Sequence, residues 1–194
     1  MGGMRIAVIG TGNIGGTLGE RWRAAGHDVT YGARAVSADG GPAGAAVLAV
    51  GDALDGADAV LIAVPGPAVD DLVAEHGAAL DGKVVIDAVN RIGQPEVHSR
   101  SAITAHAPGA HYARAFSTLG WENFADPVPG AVLFFAADPA ARAATEELIG
   151  AVGLEPAYVG DGAASGTVDG VLPLWFALVQ QHGGNRRLAF QVLR

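Results

Sequence analysis

Cysteine is absent from the 194 residues, which excludes disulfides, thiol nucleophiles and cysteine-based metal sites. Lysine occurs once, at Lys83. It opens an apparent strand, so neither a Walker-type phosphate loop nor a lysine base on a helix is available. Positive charge is scarce overall: 12 Lys and Arg against 20 Asp and Glu give a formal net charge of −8. That balance argues against a nucleic-acid partner, whose phosphates draw on a basic surface. It does not exclude an anionic cofactor, because a glycine turn and one arginine can hold a phosphate within an acidic protein. No apolar run approaches the ~20 residues of a membrane span, Val171 to Val179 being about half that length. The N-terminus also lacks the basic-then-apolar layout of a signal peptide. The expectation is a soluble, cytoplasmic protein with no membrane partner. Charged residues make up only 16% of the chain and hydrophobic ones 50%, so a sizeable core is available and disorder is not expected.

Glycine, in contrast, is abundant, and three glycines near the start carry the most information. Gly10, Gly12 and Gly15 lie in Gly10-Thr11-Gly12-Asn13-Ile14-Gly15, directly after the apolar run Ile6 to Ile9. A helical stretch, Ile14 to Ala25, follows and is closed by Gly26. Strand, glycine turn and helix form the context of a dinucleotide-binding fingerprint. The first glycine permits a tight turn, the second lets a pyrophosphate approach bare backbone, and the third lets helix pack on strand. Unpaired amides at the positive end of the helix dipole would then hold the pyrophosphate. A ligand-free glycine turn is the competing explanation.

Strands and helices alternate along the rest of the chain. Strand candidates are Val29 to Tyr31, Ala46 to Val50, Ala59 to Val64, Lys83 to Ala88, His111 to Phe116, Val132 to Ala136 and Glu155 to Val159. Helical candidates are Ala68 to Leu80, Val97 to Ala107, and a helix opened by an Asp138 cap and Pro139 that runs to Val152. Residues 35–45, with Gly40, Gly41, Pro42 and Gly44, predict a loop in place of a crossover helix. Residues 161–166 read as flexible, and Val168 to Gln181 as a helix kinked at Pro173. The pattern predicts an α/β protein with a doubly wound parallel sheet, the Rossmann nucleotide-binding fold. Residues 1–160 form its dinucleotide-binding domain; residues 161–194 are a small helical extension packed on it or on a partner subunit.

An NAD site would place Asp or Glu at the end of the second strand, about 20 residues past the first glycine. Here that place holds Tyr31-Gly32-Ala33-Arg34. Gly32 avoids a negative charge, and the Arg34 guanidinium can form a fork of donors with a 2′-phosphate. NADP is favoured over NAD, with a solvated surface arginine as the alternative for Arg34.

Several segments resemble the NADP oxidoreductases dependent on coenzyme F420, a 5-deazaflavin. They are Gly10 to Gly15, Gly32-Ala33-Arg34 where family members carry Gly-Ser-Arg, Ala63-Val64-Pro65, and Ala115-Phe116-Ser117-Thr118-Leu119-Gly120 where Ala-Phe-Asn-Thr is usual. The resemblance implies a single Rossmann domain with a short C-terminal part, often paired as a homodimer. It also implies hydride exchange between NADP(H) and the deazaflavin. The cofactor-binding residues it implies are Gly10, Thr11, Gly12, Asn13, Ile14, Gly15, Ala33, Arg34, Ala63, Val64, Pro65 and Ala115, with Ser117 and Thr118 as pocket candidates for the chemistry. Ala33 removes a hydroxyl donor to the 2′-phosphate, which weakens the expected NADP preference. Ser117 replaces an asparagine near the nicotinamide, so the acceptor can differ from the family's.

Hydride transfer between two such rings asks the protein only for alignment and water exclusion. Reduction of a ketone, enone or imine, the second reading, also needs a proton donor. The candidates are His98, His106, His111, His182 and Tyr112, with His27 and His76 read as turn and helix-end residues. A third reading is a nucleotide-binding protein that transfers nothing. His106 and His111 flank Pro108-Gly109 and share no helix face, so no metal site is expected. About 35 residues follow Val159, far fewer than the helical second domain of β-hydroxyacid dehydrogenases and imine reductases. The other wall of the pocket must therefore come from Ser117 to Gly130, the C-terminal helix or a second subunit. Trp121, Phe124, Trp175 and Phe176 are suited to cover a flat ring, or else are plain core. Arg186 and Arg187 could meet an acidic cofactor tail, a solvated helix end being the alternative.

Overall fold

A computed structural model describes residues 2–193. The elements in chain order are β1 (Arg5–Ile9), α1 (Asn13–Ala24), β2 (Asp28–Gly32), β3 (Val47–Leu48), α2 (Val50–Leu54), β4 (Ala59–Ile62), α3 (Val69–His76), β5 (Val84–Asp87), α4 (Arg100–His106), β6 (His111–Arg114), α5 (Glu122–Ala125), β7 (Val132–Ala137), α6 (Pro139–Ala151), β8 (Glu155–Gly160), α7 (Ser165–Asp169) and α8 (Val171–Gln181). The eight strands form one sheet in the order β3-β2-β1-β4-β5-β6-β7-β8. All neighbours run parallel except β6 and β7. That exception departs from the all-parallel expectation. The chain after β6 holds only the short α5 and returns from the end at which β6 finished, which makes the pair antiparallel.

Helices cover both faces, which explains why the central strands read as unbroken apolar runs. One face buries Leu18, Trp22, Tyr31, Phe116, Phe124, Leu148 and Trp175; the other buries Ile9, Ile62, Val69, Val73, Ile103 and Tyr112. Trp22 anchors α1 to α6 by donating its indole N–H to the Leu148 carbonyl at 2.9 Å. Each such large side chain contributes roughly 1.5–3 kcal/mol through burial.

Several local expectations change. Residues 161–166 are ordered: Asp161 accepts from the Ala163 amide at 3.0 Å, and the buried Ser165 donates to the Gly162 carbonyl at 2.7 Å. The helical run breaks at Gly170, not at Pro173. Pro173 falls in the first turn of α8, where amides lack helical partners and proline costs little. Asp138 does not cap α6 with its side chain; its Oδ2 accepts instead from the Tyr112 amide at 3.0 Å, tying α6 to β6. By length and composition the stretch Gly162–Gln181 could match a membrane span. Here it folds as a 3-10 turn and two helices, with Leu172, Trp175 and Val179 packed inward and Leu174 and Phe176 exposed.

Candidate dinucleotide site

Strand order reverses between β1 and β4, so a crevice opens at their carboxyl ends, where doubly wound sheets bind nucleotides. The glycine turn lies there. Gly10 has φ +111°, and a Cβ on it would collide with the Ala63 carbonyl. A Cβ on Gly15 would collide with the Gly10 carbonyl and come within 3.1 Å of Val8. Both glycines are demanded by the fold itself. Gly12 is not: its backbone is extended, at φ −73° and ψ −171°, and nothing lies within 4 Å of a Cβ placed there. Nothing in the chain itself demands glycine here; bare backbone at Gly12 is what a diphosphate in contact would require. The first turn of α1 has no side-chain cap and no acidic residue. Its amides and the positive end of the helix dipole are therefore free to meet an anion.

Beside this cradle a cavity of about 350 Å³ is lined by Ile9, Gly10, Ala33, Arg34, Val50, Val64, Pro65, Ala68, Asp71, Leu72, Glu75 and His76. It brings Gly10, Ala33, Arg34, Val64 and Pro65 of the expected set into one wall. Thr11, Gly12 and Asn13 line a neighbouring polar hollow of about 370 Å³ with Gly16, Gly41 and Pro42. The half-buried Ile14 packs against the core behind the turn. The cavity's aliphatic wall suits an adenine ring, and Arg34, exposed at its edge, suits a 2′-phosphate. Gly32 has an additional reason to be glycine. A Cβ there would lie 2.8 Å from both Ala53 and Ile9, so an acidic side chain is excluded by packing as well as by charge. Asp71 and Glu75 line the same cavity as Arg34.

The second half of the crevice is built from the carboxyl ends of β4, β5 and β6. Ala63, Val64 and Pro65 follow β4, and Ala88 to Arg91 follow β5. Gly66 packs against the second of these segments: a Cβ on it would be 3.3 Å from the Arg91 Cα and 3.4 Å from the Asn90 carbonyl oxygen. Ala115 to Thr118 follow β6 but are covered. Ala115 is fully buried, Ser117 is 3% exposed and Thr118 1% exposed, and the buried Ser117 Oγ has no hydrogen-bond partner. Phe116 takes a left-handed backbone at φ +59°, which costs a non-glycine residue about 1–3 kcal/mol. It is held between Trp22 and Phe124 by edge-to-face contacts, each with centroids 5.6 Å apart.

Beneath this half lies an ionic network. Arg114, fully buried in β6, donates from Nε to Asp169 at 2.8 Å, from Nη1 to the Asp87 and Val89 carbonyls, and from Nη2 to Asn90 Oδ1 at 2.7 Å. The carboxylate of buried Asp87 accepts from the Val89 and Ser99 amides and from the Tyr112 hydroxyl at 3.0 Å. Reading the strands for apolar runs passed over these residues. The available signal is a charge in each of two strands, Asp87 in β5 and Arg114 in β6, because a buried charge requires a partner.

None of the proton-donor candidates lines the described cavity. Burial and the Asp87 charge push the Tyr112 hydroxyl well above its ordinary value and hold it as a donor to Asp87. His111 begins β6 and His106 ends α4, on the far side of the sheet from the glycine turn. His98 lies 3.6 Å from Glu96, His182 is exposed beyond α8, and His27 Nδ1 accepts from the Met4 amide at 3.2 Å. Of the histidines, His76 lines the described cavity, with Arg34 and Glu75. Phe124 and Trp175 are core, Trp175 donating to the Leu188 carbonyl at 2.7 Å, whereas Trp121 is half-buried and Phe176 exposed. Arg186 and Arg187 pair with Glu122 at 2.9 Å and Asp126 at 2.7 Å. Among the described residues no cluster of three metal-ligating side chains occurs.

Comparison with known proteins agrees with this geometry. Residues 5–91 match the family described as NADP oxidoreductase coenzyme F420-dependent. A protein from Arthrobacter sp. FB24, provisionally described as an F420-dependent NADP reductase, superposes with a TM-score of 0.82 at 24% identity, covering 99% of this chain and 100% of that one. The protein SMa0349 of Sinorhizobium meliloti is 30% identical, with a TM-score of 0.73 over 100% of this chain and 97% of that one. A reductive aminase from Aspergillus terreus, solved with NADPH and ethyl-5-oxohexanoate, shares the fold at a TM-score of 0.71 and 22% identity. The match covers 92% of this chain and 63% of the aminase. Sequence motif, sheet topology and relatives agree: residues 5–91 carry the match to the F420-dependent NADP oxidoreductase family, and the chain is an NADP-dependent oxidoreductase of the Rossmann fold.

Proposed function

We propose that the protein exchanges hydride between NADP(H) and a deazaflavin of the coenzyme F420 type. The observation that carries this reading is the chemical poverty of the second half of the crevice. Ala63, Val64, Pro65 and Asn90 supply apolar and amide groups, Arg91 pairs with Asp70, and the hydroxyls of Ser117 and Thr118 are buried, with no histidine or tyrosine among these residues. The nicotinamide carries the hydride at C4 when the cofactor is bound. The chain's own work is to fix and dry that ring. The α1 amides and Arg34 hold the phosphates, the aliphatic wall holds the adenine, and the Val64-Pro65 edge faces the reacting half. A deazaflavin accepts hydride at its own ring carbon and takes its balancing proton from solvent, so no protein acid is required. Ketone or imine reduction requires one, and Tyr112 is committed to Asp87.

The reading is tested by mixing the protein with NADPH and oxidised F420, then with NADP and reduced F420, and following deazaflavin absorbance. Transfer in at least one direction, with deuterium passing from one face of C4-labelled NADPH, is the expected result. Tight NADPH binding without deazaflavin reduction at any pH between 5 and 9 would rule the acceptor out while leaving the nucleotide site intact.

A further inference from the structure

We propose that Asn90 is the polar contact for the nicotinamide carboxamide, and that buried Arg114 is the positioning residue that fixes its orientation. This rests on NADP occupying the crevice, not on which acceptor takes the hydride. The segment usually associated with that end, Ser117 and Thr118, is 3% and 1% exposed, so its hydroxyls are shielded. Asn90 is half-buried, immediately after β5, across from Val64-Pro65-Gly66. Its amide is locked from both sides by partners that can act in only one way. The Arg114 guanidinium only donates, so the atom 2.7 Å from Nη2 must be Oδ1. The Ser117 carbonyl only accepts, so the atom 2.8 Å from it must be Nδ2. A free asparagine could present either edge; this one cannot.

One Nδ2 hydrogen and one Oδ1 lone pair remain without a partner among the described residues. They leave one donor and one acceptor on Asn90 that a planar carboxamide can meet. Arg114 is in turn immobile, held by Asp169 and by the Asp87 and Val89 carbonyls, with the Asp87 carboxylate 3.5 Å away. The buried ion pair thus fixes the orientation of the Asn90 amide at the carboxyl end of β5. Ser117 contributes its backbone to this arrangement, held in place by the left-handed Phe116.

The test compares two ligands, neither requiring an acceptor: NADPH, and 2′,5′-ADP, which carries the adenosine half and the 2′-phosphate but no nicotinamide. Calorimetry and the fluorescence enhancement of bound NADPH are measured for the parent, N90A, N90D and R114K. One lost hydrogen bond predicts that N90A and N90D weaken NADPH about three- to tenfold and reduce its enhancement. Binding of 2′,5′-ADP is expected to stay within twofold. R114K keeps the charge but loses the planar fork, and is expected to give the same selective loss. Asn90→Asp is isosteric and remains informative if Asn90→Ala does not fold. NADPH affinity within twofold of the parent in both Asn90 variants, or equal weakening of both ligands, overturns the assignment. A parent-like R114K overturns the positioning role. A parent that binds neither ligand removes the nucleotide site itself, a failure distinct from these.

Discussion

The three glycines of one motif answer to different demands. Gly10 and Gly15 are fixed by the backbone they touch, whereas Gly12 has open space and ordinary torsions. Gly15→Ala therefore destabilises the fold by about 1–3 kcal/mol through overpacking, visible as a lower urea midpoint. Gly12→Ala leaves that midpoint unchanged yet weakens NADPH at least about tenfold, because a methyl occupies the diphosphate's place. Equal behaviour of the two variants in both measurements would contradict the distinction. Tyrosine burial makes a second prediction. Tyr31 is pushed up to about 12 by burial, and Tyr112 is pushed well up by burial beside Asp87. A raised folded pKa gives stability that is complete below the unfolded value near 10 and is lost as pH rises beyond it. Thermal stability should thus fall above pH ~10. Tyr112→Phe should flatten that fall at the cost of the Asp87 hydrogen bond at neutral pH. A parent and variant with parallel profiles from pH 9 to 11 would count against it.

At the scale of elements, helix propensity and packing make opposite predictions in α1. Gly19 lies within that helix, where alanine is ordinarily better by about 1 kcal/mol. A Cβ there would collide with the Tyr31 hydroxyl across the helix–sheet contact. Packing wins by magnitude, since Tyr31 is fully buried and has no space to retreat. Gly19→Ala should lower stability by about 1–2 kcal/mol in chemical denaturation; a more stable variant would show that the ring moves aside. The same contrast explains what the sequence alone disclosed. Strong periodic elements such as β1, α1, β4 and α6 were legible because apolar runs and glycine or proline boundaries mark them. The break at Gly170 was not, because Pro173 drew attention to itself although a first-turn proline is harmless. The Asp138 side chain was misread for a related reason. Its composition fits a cap, but a long-range partner, the Tyr112 amide, claims its carboxylate.

At the scale of the whole molecule, the largely parallel sheet converts a linear order of segments into one edge, and that edge carries the candidate site. Residues 10–15, 33–34 and 63–65 are legible because each carries a glycine, arginine or proline signature. Asn90 and Arg114 were not, because their meaning depends on β5 and β6 being neighbours. Ser117 and Thr118, expected as pocket residues, are 3% and 1% exposed, and the Ser117 carbonyl accepts from Asn90. The central claim is that the amides around Gly12 and the first turn of α1 hold the diphosphate of NADP(H). Its most direct test is calorimetric titration of the intact protein with NADPH and then NADH. The account predicts one NADPH per chain, tighter binding than NADH, and little heat with Gly12→Ala. Absence of binding by either nucleotide at millimolar concentration, in protein shown to be folded, would contradict it.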